Sequence, residues 1–379
     1  MKERIFFDNN ATTKIADEVL QAMIKAYAEP LNPSSIHYFG RTATRLSNQA
    51  REHIKKLLGA ANYQVIFTSG GTESNNLALF GFKDYQVIAS ATEHPAVYNV
   101  ALKKSNGQVT NIVQVDNNCV VDLGDLEERI KSINTKNFIV SIMLANNETG
   151  AIQPIKQIAN LVHQYGGLMH SDIVQATGKI NIDLEDLNVD MASVSSHKLN
   201  GPQGVGVLLI RKSLDIEPIM FGSSQEGGKR PGTLNVAGAV GLGEACRIAT
   251  DKIIKYQELA KLRDYLESSL IKIANENGEQ DVIIFSKNVD RLPNTSYIAT
   301  KGIDNQTQLI DLDLNGIAVS IGAACSSGSS KPSRVLGAMN VADDIAKNTI
   351  RVSLGLSNDK AQIDKFIEVW GNLYHKTRN

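Results

Sequence analysis

Lys198 stands where the β-type run DMASVS (190–195) gives way to the glycine-rich stretch NGPQGVG (200–206). A lysine in that position is either a solvated side chain, the common fate of lysine, or an amine held in a pocket to carry a carbonyl cofactor as a Schiff base. Val65-Ile66-Phe67-Thr68 runs into Ser69-Gly70-Gly71-Thr72 and then into a helical pattern. The free N–H groups of a helix start attract an anion, and Thr72 adds a hydroxyl donor, although such a turn can also merely reverse the chain. Asp172 closes GLMHSD (167–172) at the edge where an α/β sheet presents its ligands, or else it caps the helix that follows. Gln175 lies one turn further on, within reach of the same space. His94 precedes Pro95 at another helix start, as a helix-end polar group or as a flat ring for stacking and proton transfer.

Taken together, a phosphate cradle, a carboxylate, a ring and a strand-end lysine are the parts that pyridoxal phosphate needs. That cofactor requires a phosphate site, a Schiff-base lysine, and an acid that keeps its pyridine nitrogen protonated so that the ring acts as an electron sink.

The elements that must position these groups alternate along the chain. Strand-like runs at 65–68, 86–90, 137–144, 167–172, 190–195 and 204–210 are separated by helical patterns, one opened by Pro95 and another by Pro154 with Ile155, Ile158, Ala159 and Val162 on one face. This alternation predicts an α/β fold with a mainly parallel sheet covered on both sides. From Val236 a long helical stripe begins, and short strands such as DVIIFS and TIRVSLG then mix with helices, ending in a helix whose stripe is Ile363, Phe366, Ile367, Trp370 and Leu373. The length of 379 residues suits two domains. The expected division is a large domain over 14–250 and a small α+β domain formed by 1–13 and 251–379, with the boundary inside a connecting helix.

The 39 basic and 40 acidic residues leave a net charge of -1, which offers nothing to a nucleic acid in bulk. Three cysteines, Cys119, Cys246 and Cys325, are too few and too odd for a disulfide framework and suit a reducing compartment. No zinc spacing and no HExxH occurs, so no metal is expected. The start MKERIFFDNNATT lacks the apolar stretch of a secretory signal, and no run approaches a membrane span. These features predict a cytoplasmic protein with neither membrane nor nucleic-acid contact.

The strings DNNATT, FTSGGTESNN, ATEHPAV, NNETGAIQPI, HSDIVQATGK, SSHKLNGPQGVG, RPGT and GAACSSGSS occur in order over nearly the whole chain. In this the chain resembles the cysteine desulfurases of the class V aminotransferase group, within the fold-type-I pyridoxal-phosphate enzymes, whose large domain holds a seven-stranded sheet. The resemblance implies that Lys198 carries pyridoxal 5'-phosphate, that Asp172 pairs with its ring nitrogen and that His94 stacks on the ring. Gln175 and Asn147 would address the phenolic oxygen and the substrate side. Gly71, Thr72, Ser195 and His197 would hold the phosphate, Ser196 would be among the cofactor contacts, and Thr233 would reach the phosphate of the other subunit's site in a homodimer. Arg351 would take the substrate carboxylate as a bidentate pair, which a guanidinium fits and an ammonium does not. Ser196 stands where many members have Gly, and Pro231 where Ser is common.

Among the cysteines, Cys246 sits in apolar helical periodicity and Cys119 leads into a short strand, so both read as structural. Cys325 lies in GAACSSGSSKP, a Gly/Ser-rich loop without periodicity. Such a loop suits a thiol that takes sulfur from L-cysteine as a persulfide, leaves L-alanine, and then delivers sulfur elsewhere. A thiol of ordinary pKa, about 8.5, is only a few per cent thiolate at neutral pH, so a nearby base must assist. The loop length matches the subgroup that passes sulfur to partner proteins, such as an iron–sulfur scaffold or tRNA-thiolation proteins. The chain ends at Asn379, where many members continue into a tail that docks the scaffold, so the resemblance carries that docking less far than the chemistry. The rival expectations are another pyridoxal-phosphate reaction on the same fold (aminotransfer, selenocysteine lysis or β-elimination) and a non-catalytic docking platform. Cys325 argues against the first and the intact Lys198, Asp172 and His94 against the second.

Overall fold

The computed structural model describes residues 4–105, 107, 111–133, 135–275, 280–321 and 333–378. Cys325 lies outside the described residues. A sheet of seven strands dominates, built from β2 (Tyr63–Thr68), β3 (Gln86–Ser90), β4 (Ile112–Val113), β5 (Phe138–Ser141), β6 (Leu168–Asp172), β7 (Met191–Ser195) and β8 (Gly206–Arg211) in the order β2-β8-β7-β6-β5-β3-β4. All neighbours run parallel except β8, which is antiparallel to both β2 and β7. Strands β5 and β7 are buried along their whole length, as expected of a sheet covered on both faces. The run predicted as a strand over 137–144 keeps ladder geometry only to Ser141. Beyond it, Ile142 and Leu144 still donate to the carbonyls of His170 and Asp172 as the chain turns.

The covering helices include α3 (Gly71–Phe80), α4 (Pro95–Lys104) and α6 (Ile155–Gln164), the last with the predicted Ile155, Ile158, Ala159 and Val162 buried. The stripe from Val236 becomes α8, forty residues from Val236 to Asn275. Its side chains from Ala239 to Ile253 pack into the large core, whereas those from Tyr256 to Ala274 pack into a second core. That second core also holds α12 (Lys360–Arg378), with Ile363, Phe366, Trp370 and Leu373 buried and Ile367 half-buried.

Beside this lies an antiparallel sheet in the order β12-β10-β9, from β9 (Val282–Ile284), β10 (Thr295–Thr300) and β12 (Thr349–Ser353). Next to it β1 (Ile5–Phe6) pairs in parallel with β11 (Ile317–Ala318). Asp8 bridges to Ser353, so residues 4–10 are laid along the seam between the two sheets. A buried ion pair, Arg291 to Glu267 of α8, fastens the smaller sheet to the long helix, and Ser296 Oγ donates to the same carboxylate.

Candidate active site

Strands β6 and β7 end side by side, and the chain beyond each turns toward one cavity of about 640 Å3, a volume typical of cofactor sites. At one end the cavity meets the start of α3. Gly70 has φ +155° and a Cβ on Gly206 would fall 2.7 Å from Gly70 Cα, so strand β8 and this turn approach too closely for side chains. The first N–H groups of α3 have no partner within the helix and face the anion-attracting end of its dipole. Thr72, Ser195 and His197 line the same end. The His197 ring lies 3.1 Å from Thr12 Oγ1, and burial together with Lys198 lowers its pKa to about 4, so the imidazole is neutral.

Asp172 occupies the middle. One carboxylate oxygen accepts from the Val174 N–H at 3.0 Å and the other from Asn75 Nδ2 at 2.7 Å. The turn-capping and ligand-facing readings of this residue are therefore compatible: the carboxylate is braced on its flanks and still lines the cavity. His94 caps α4 by accepting from the Ala96 N–H at Nδ1, which leaves the proton of its neutral ring on Nε2. Burial holds its pKa below the usual imidazole value, with Lys198 and Arg334 acting in the same direction and Asp172 opposing. Lys198 ends a single 3-10 turn, Ser196–Lys198, and its Nζ donates to the carbonyls of Asn10 (2.5 Å) and Ala11 (2.6 Å).

Arg351, on β12 and almost fully buried, reaches the cavity from the smaller sheet. It donates to the Asn147 carbonyl at 2.9 Å and to Asp8 Oδ1 at 2.6 Å, while its buried Nε has no partner among the described residues. A buried guanidinium with an unmatched N–H asks for an additional acceptor.

The cavity thus gathers Gly71, Thr72, His94, Asn147, Asp172, Gln175, Ser195, His197, Lys198 and Arg351. Ser196 is not among its lining: a Cβ on Gly201 would fall 2.1 Å from its Oγ, so the hydroxyl faces that loop, where it is buried without a partner among the described residues. Thr233 is exposed and also lies outside this cavity. Cys119, at φ +66°, and Cys246, in α8, are both buried, and burial pushes the Cys119 thiol up to about 12, as suits inert core residues.

Residues without a predicted role complete the walls. Asn10 lies in DNNATT and Lys179 in HSDIVQATGK, so the strings contained them, but an isolated Asn or Lys gives no local signal of burial. Lys179 is nevertheless among the largest fully buried side chains. Glu73 pairs with Arg230 and accepts from the Ser69 N–H, tying the RPGT segment to the start of α3. Among the described residues no group of His, Cys, Asp and Glu could hold a metal ion.

The donor set fits pyridoxal phosphate: an anion-binding helix start, a braced carboxylate, a neutral ring and an amine converge on one cavity. Comparison with known proteins points the same way. The family model for class-V aminotransferases matches residues 5–366. The cysteine desulfurase IscS of Dictyoglomus turgidum is 39% identical over a 388-position alignment that covers 100% of this chain and 96% of that protein. The cysteine desulfurase IscS of Methanosarcina thermophila is 38% identical, over 99% of this chain and 93% of its own. Among solved structures, a NifS-like protein from Rickettsia africae superposes with a TM-score of 0.89 at 38% identity, covering 98% of this chain and 100% of that one.

Proposed function

The chain belongs to the cysteine desulfurases of the class-V aminotransferase family, and from that premise we propose that it converts L-cysteine to L-alanine, with Cys325 taking the sulfur as a persulfide. The observation that carries this reading is the convergence of Lys198, Asp172, His94 and Arg351 on one cavity.

Pyridoxal phosphate would be held by Lys198, by Asp172 at the ring nitrogen, by Gln175 at the phenolic oxygen, and by the α3 start with Thr72, Ser195 and His197 at the phosphate. Bound there, it supplies a sink for the electron pair released at the substrate Cα. The protein's own groups do the rest. Arg351 fixes the amino acid through its carboxylate, using the guanidinium face left over by Asn147 and Asp8. Lys198 accepts and returns a proton at Nζ once its amine is displaced, and neutral His94 holds a proton at Nε2. In the net reaction the substrate Cβ–S bond breaks and an S–S bond forms to Cys325 Sγ. One of the two thiol protons supplies the single new Cβ–H bond of alanine, and the other stays with the persulfide; the carbon is reduced as the two sulfurs are oxidised to an S–S bond.

The described residues that flank the Cys325 segment support its part in this. Ser320 exchanges backbone hydrogen bonds with Arg351, and Ser333 donates to Glu148, the neighbour of Asn147. The segment therefore leaves from the strand neighbour of Arg351 and returns to the side chain next to Asn147, whose carbonyl accepts from the Arg351 guanidinium.

Several apolar side chains are left on the surface: Ile36 and Phe221 are each 92% exposed, and Tyr27 and Tyr38 67%. Exposure of that size suits burial against a second copy, as does Thr233, exposed and away from its own subunit's cavity. The active unit in this reading is a homodimer in which Thr233 reaches the partner's phosphate. No helix among the described residues is long and apolar enough to cross a membrane, which suits a cytoplasmic enzyme delivering sulfur to an acceptor protein, either an iron–sulfur scaffold or a tRNA-thiolation protein. The two-domain division, with 14–250 forming the cofactor domain, is supported by the change of core along α8.

The test is incubation of the loaded enzyme with L-cysteine. Alanine should accumulate, and the mass of one sulfur should appear on the peptide that contains Cys325. Cys325→Ser should still bind cysteine, with a change in the visible spectrum, while forming almost no alanine. Alanine and free sulfide at the wild-type rate from that variant would establish β-elimination or another acceptor thiol instead.

A further inference from the structure

A lysine buried to 1% exposure needs a reason, because desolvation of an ammonium is costly and here holds its pKa well below the usual lysine value. Lys179 Nζ donates to Asn10 Oδ1 at 2.8 Å and to Gln175 Oε1 at 3.1 Å. Gln175 in turn donates from Nε2 to the Asn10 carbonyl at 2.9 Å, the same carbonyl that accepts from Lys198. Asn10 is the hub of this network. Its side-chain amide also donates to the Asn147 carbonyl and to Thr295 Oγ1, and Asn294 Nδ2 donates to its Oδ1.

Counting donors and acceptors assigns Lys179 its role. Both partners of Lys179 Nζ meet it with oxygens, Asn10 Oδ1 and Gln175 Oε1, so the amine donates to each. The other end of the Gln175 amide is held as Nε2 by the Asn10 carbonyl, which can only accept. With Oε1 taken by Lys179 and one hydrogen of Nε2 taken by Asn10, the group left to face the cavity is the second Nε2 hydrogen, a donor. Asn10 Oδ1 would remain satisfied by Asn294 if Lys179 were lost, but Gln175 Oε1 has no second partner among the described residues. The pair that depends on Lys179 is therefore the one that points into the site.

We propose that Lys179 is a positioning residue that locks the Gln175 amide with its N–H toward the cavity, so that the site selects a ligand ring bearing an oxygen acceptor beside its aldehyde carbon. The inference rests on the assignment of the cavity to pyridoxal phosphate, and it adds a determinant of how that ring's phenolic oxygen is recognised. Without Lys179 the buried Oε1 loses its donor and only the Asn10 carbonyl still opposes a turn of the amide, so the preference for that oxygen falls. A purely structural lysine would support the fold without distinguishing one ring from another.

The experiment titrates cofactor-free protein with pyridoxal phosphate and, separately, with its 3-deoxy analogue, which lacks the acceptor oxygen, and follows the visible band and the quenching of protein fluorescence. Wild type should favour the natural cofactor by about tenfold or more, the scale of one hydrogen bond to a charged oxygen. Lys179→Met should lose most of that preference while binding the deoxy analogue as wild type does. The double variant with Gln175→Met should bind no more weakly than Gln175→Met alone. Equal weakening toward both ligands, a full preference retained in Lys179→Met, or additive losses in the double variant would each overturn the proposal. If Lys179→Met does not fold, Lys179→Ala serves in its place, because Lys179 also lines a second cavity of about 310 Å3 from which water can enter. A wild-type protein that binds neither ring would overturn the pyridoxal phosphate reading itself, and this inference with it.

Discussion

The two walls of the cavity are built by different means. On the strand-end wall, Asp172 and Ser195 close the strands that place them and His197 and Lys198 follow at once, and their supports are near in space through the ladder of β6 and β7. On the seam wall, Asn10, Asn147 and Arg351 come from separate parts of the chain, 137 and 204 positions apart where they touch. The first wall is a product of sheet geometry, so its groups hold their places through packed backbone. The second is held by hydrogen bonds among the very side chains that would meet the substrate. A change on the strand-end wall should therefore remove a chemical step and leave the fold alone. A change on the seam wall should disturb binding and the fit between the two sheets together.

Removal of Lys198 offers the largest effect and the plainest test of the strand-end wall. Lys198→Ala should abolish turnover and the visible band of bound cofactor, while the melting temperature of the cofactor-free protein stays within a few degrees, since the ladder of β6, β7 and β8 holds the strand before it without its side chain. A borohydride-reducible link surviving in this variant would place the Schiff base on another lysine. It would also break the equivalence between strand end and chemical role.

Arg351→Lys tests the seam wall. An ammonium cannot serve Asn147, Asp8 and a carboxylate from one planar fork. The kcat/KM for cysteine should fall about a hundredfold, chiefly through KM, in line with the loss of a charge-assisted bidentate pair worth roughly 2–3 kcal/mol. Unlike Lys198→Ala, this variant should also lower thermal stability, because the bonds to Asn147 and Asp8 join the sheets. An unchanged KM would mean that Arg351 is occupied by Asp8 throughout catalysis.

The walls also differ in how much of them can be read from residue order. Strand ends carry local signatures: β-branched runs, a Gly-Gly turn and a Pro at a helix start locate Gly71, His94, Asp172 and Lys198 before any coordinates are known. The seam has no such signature. That β1 lies beside β11, and that Asp8 reaches Arg351, depends on pairings across more than three hundred residues, which no local period encodes. Arg351 and Asn147 were reached only through resemblance to a family. Lys179 and Asn10 have no local signature because polarity alone predicts exposure, whereas both are buried and bonded to one another. Ser196, expected from the resemblance to touch the cofactor, has its hydroxyl facing the Gly201 loop, a direction that residue order does not encode.

A third effect lies beneath the strand-end wall. His170 is fully buried in β6, between Ser141 Oγ at 2.8 Å and Ser193 Oγ at 3.0 Å, and burial lowers its pKa to about 3. Unfolded, it titrates near 6.5, so between these values the unfolded chain binds a proton that the native chain refuses. Its contribution is complete above about pH 6.5 and is lost as the pH falls toward 3. Denaturant midpoints should therefore drop from pH 7 to pH 5, and by less in His170→Asn, which should be weaker by ~1–3 kcal/mol at pH 7. An identical slope in both proteins would assign the acid sensitivity to other groups, among them His197 on the same wall.

The smallest effect separates two neighbouring serines, and with them sheet geometry from mere adjacency. Ser195 is the last residue of β7, and its side chain lies on the cavity side, with Oγ 3.9 Å from where a Cβ on Gly70 would stand. Ser196 begins the 3-10 turn and points toward the Gly201 loop, where its hydroxyl has no partner among the described residues. A buried hydroxyl left unsatisfied costs free energy that its removal returns. Ser196→Ala should thus leave cofactor affinity unchanged and raise stability by up to ~1 kcal/mol, whereas Ser195→Ala should weaken cofactor binding severalfold with little change in stability. Parallel titrations of the cofactor-free variants, with thermal melts of each, decide it. If Ser196→Ala weakens cofactor binding as much as Ser195→Ala, its hydroxyl works in the cavity after all. The strand-end wall would then extend one residue further than the alternation of side chains along β7 allows.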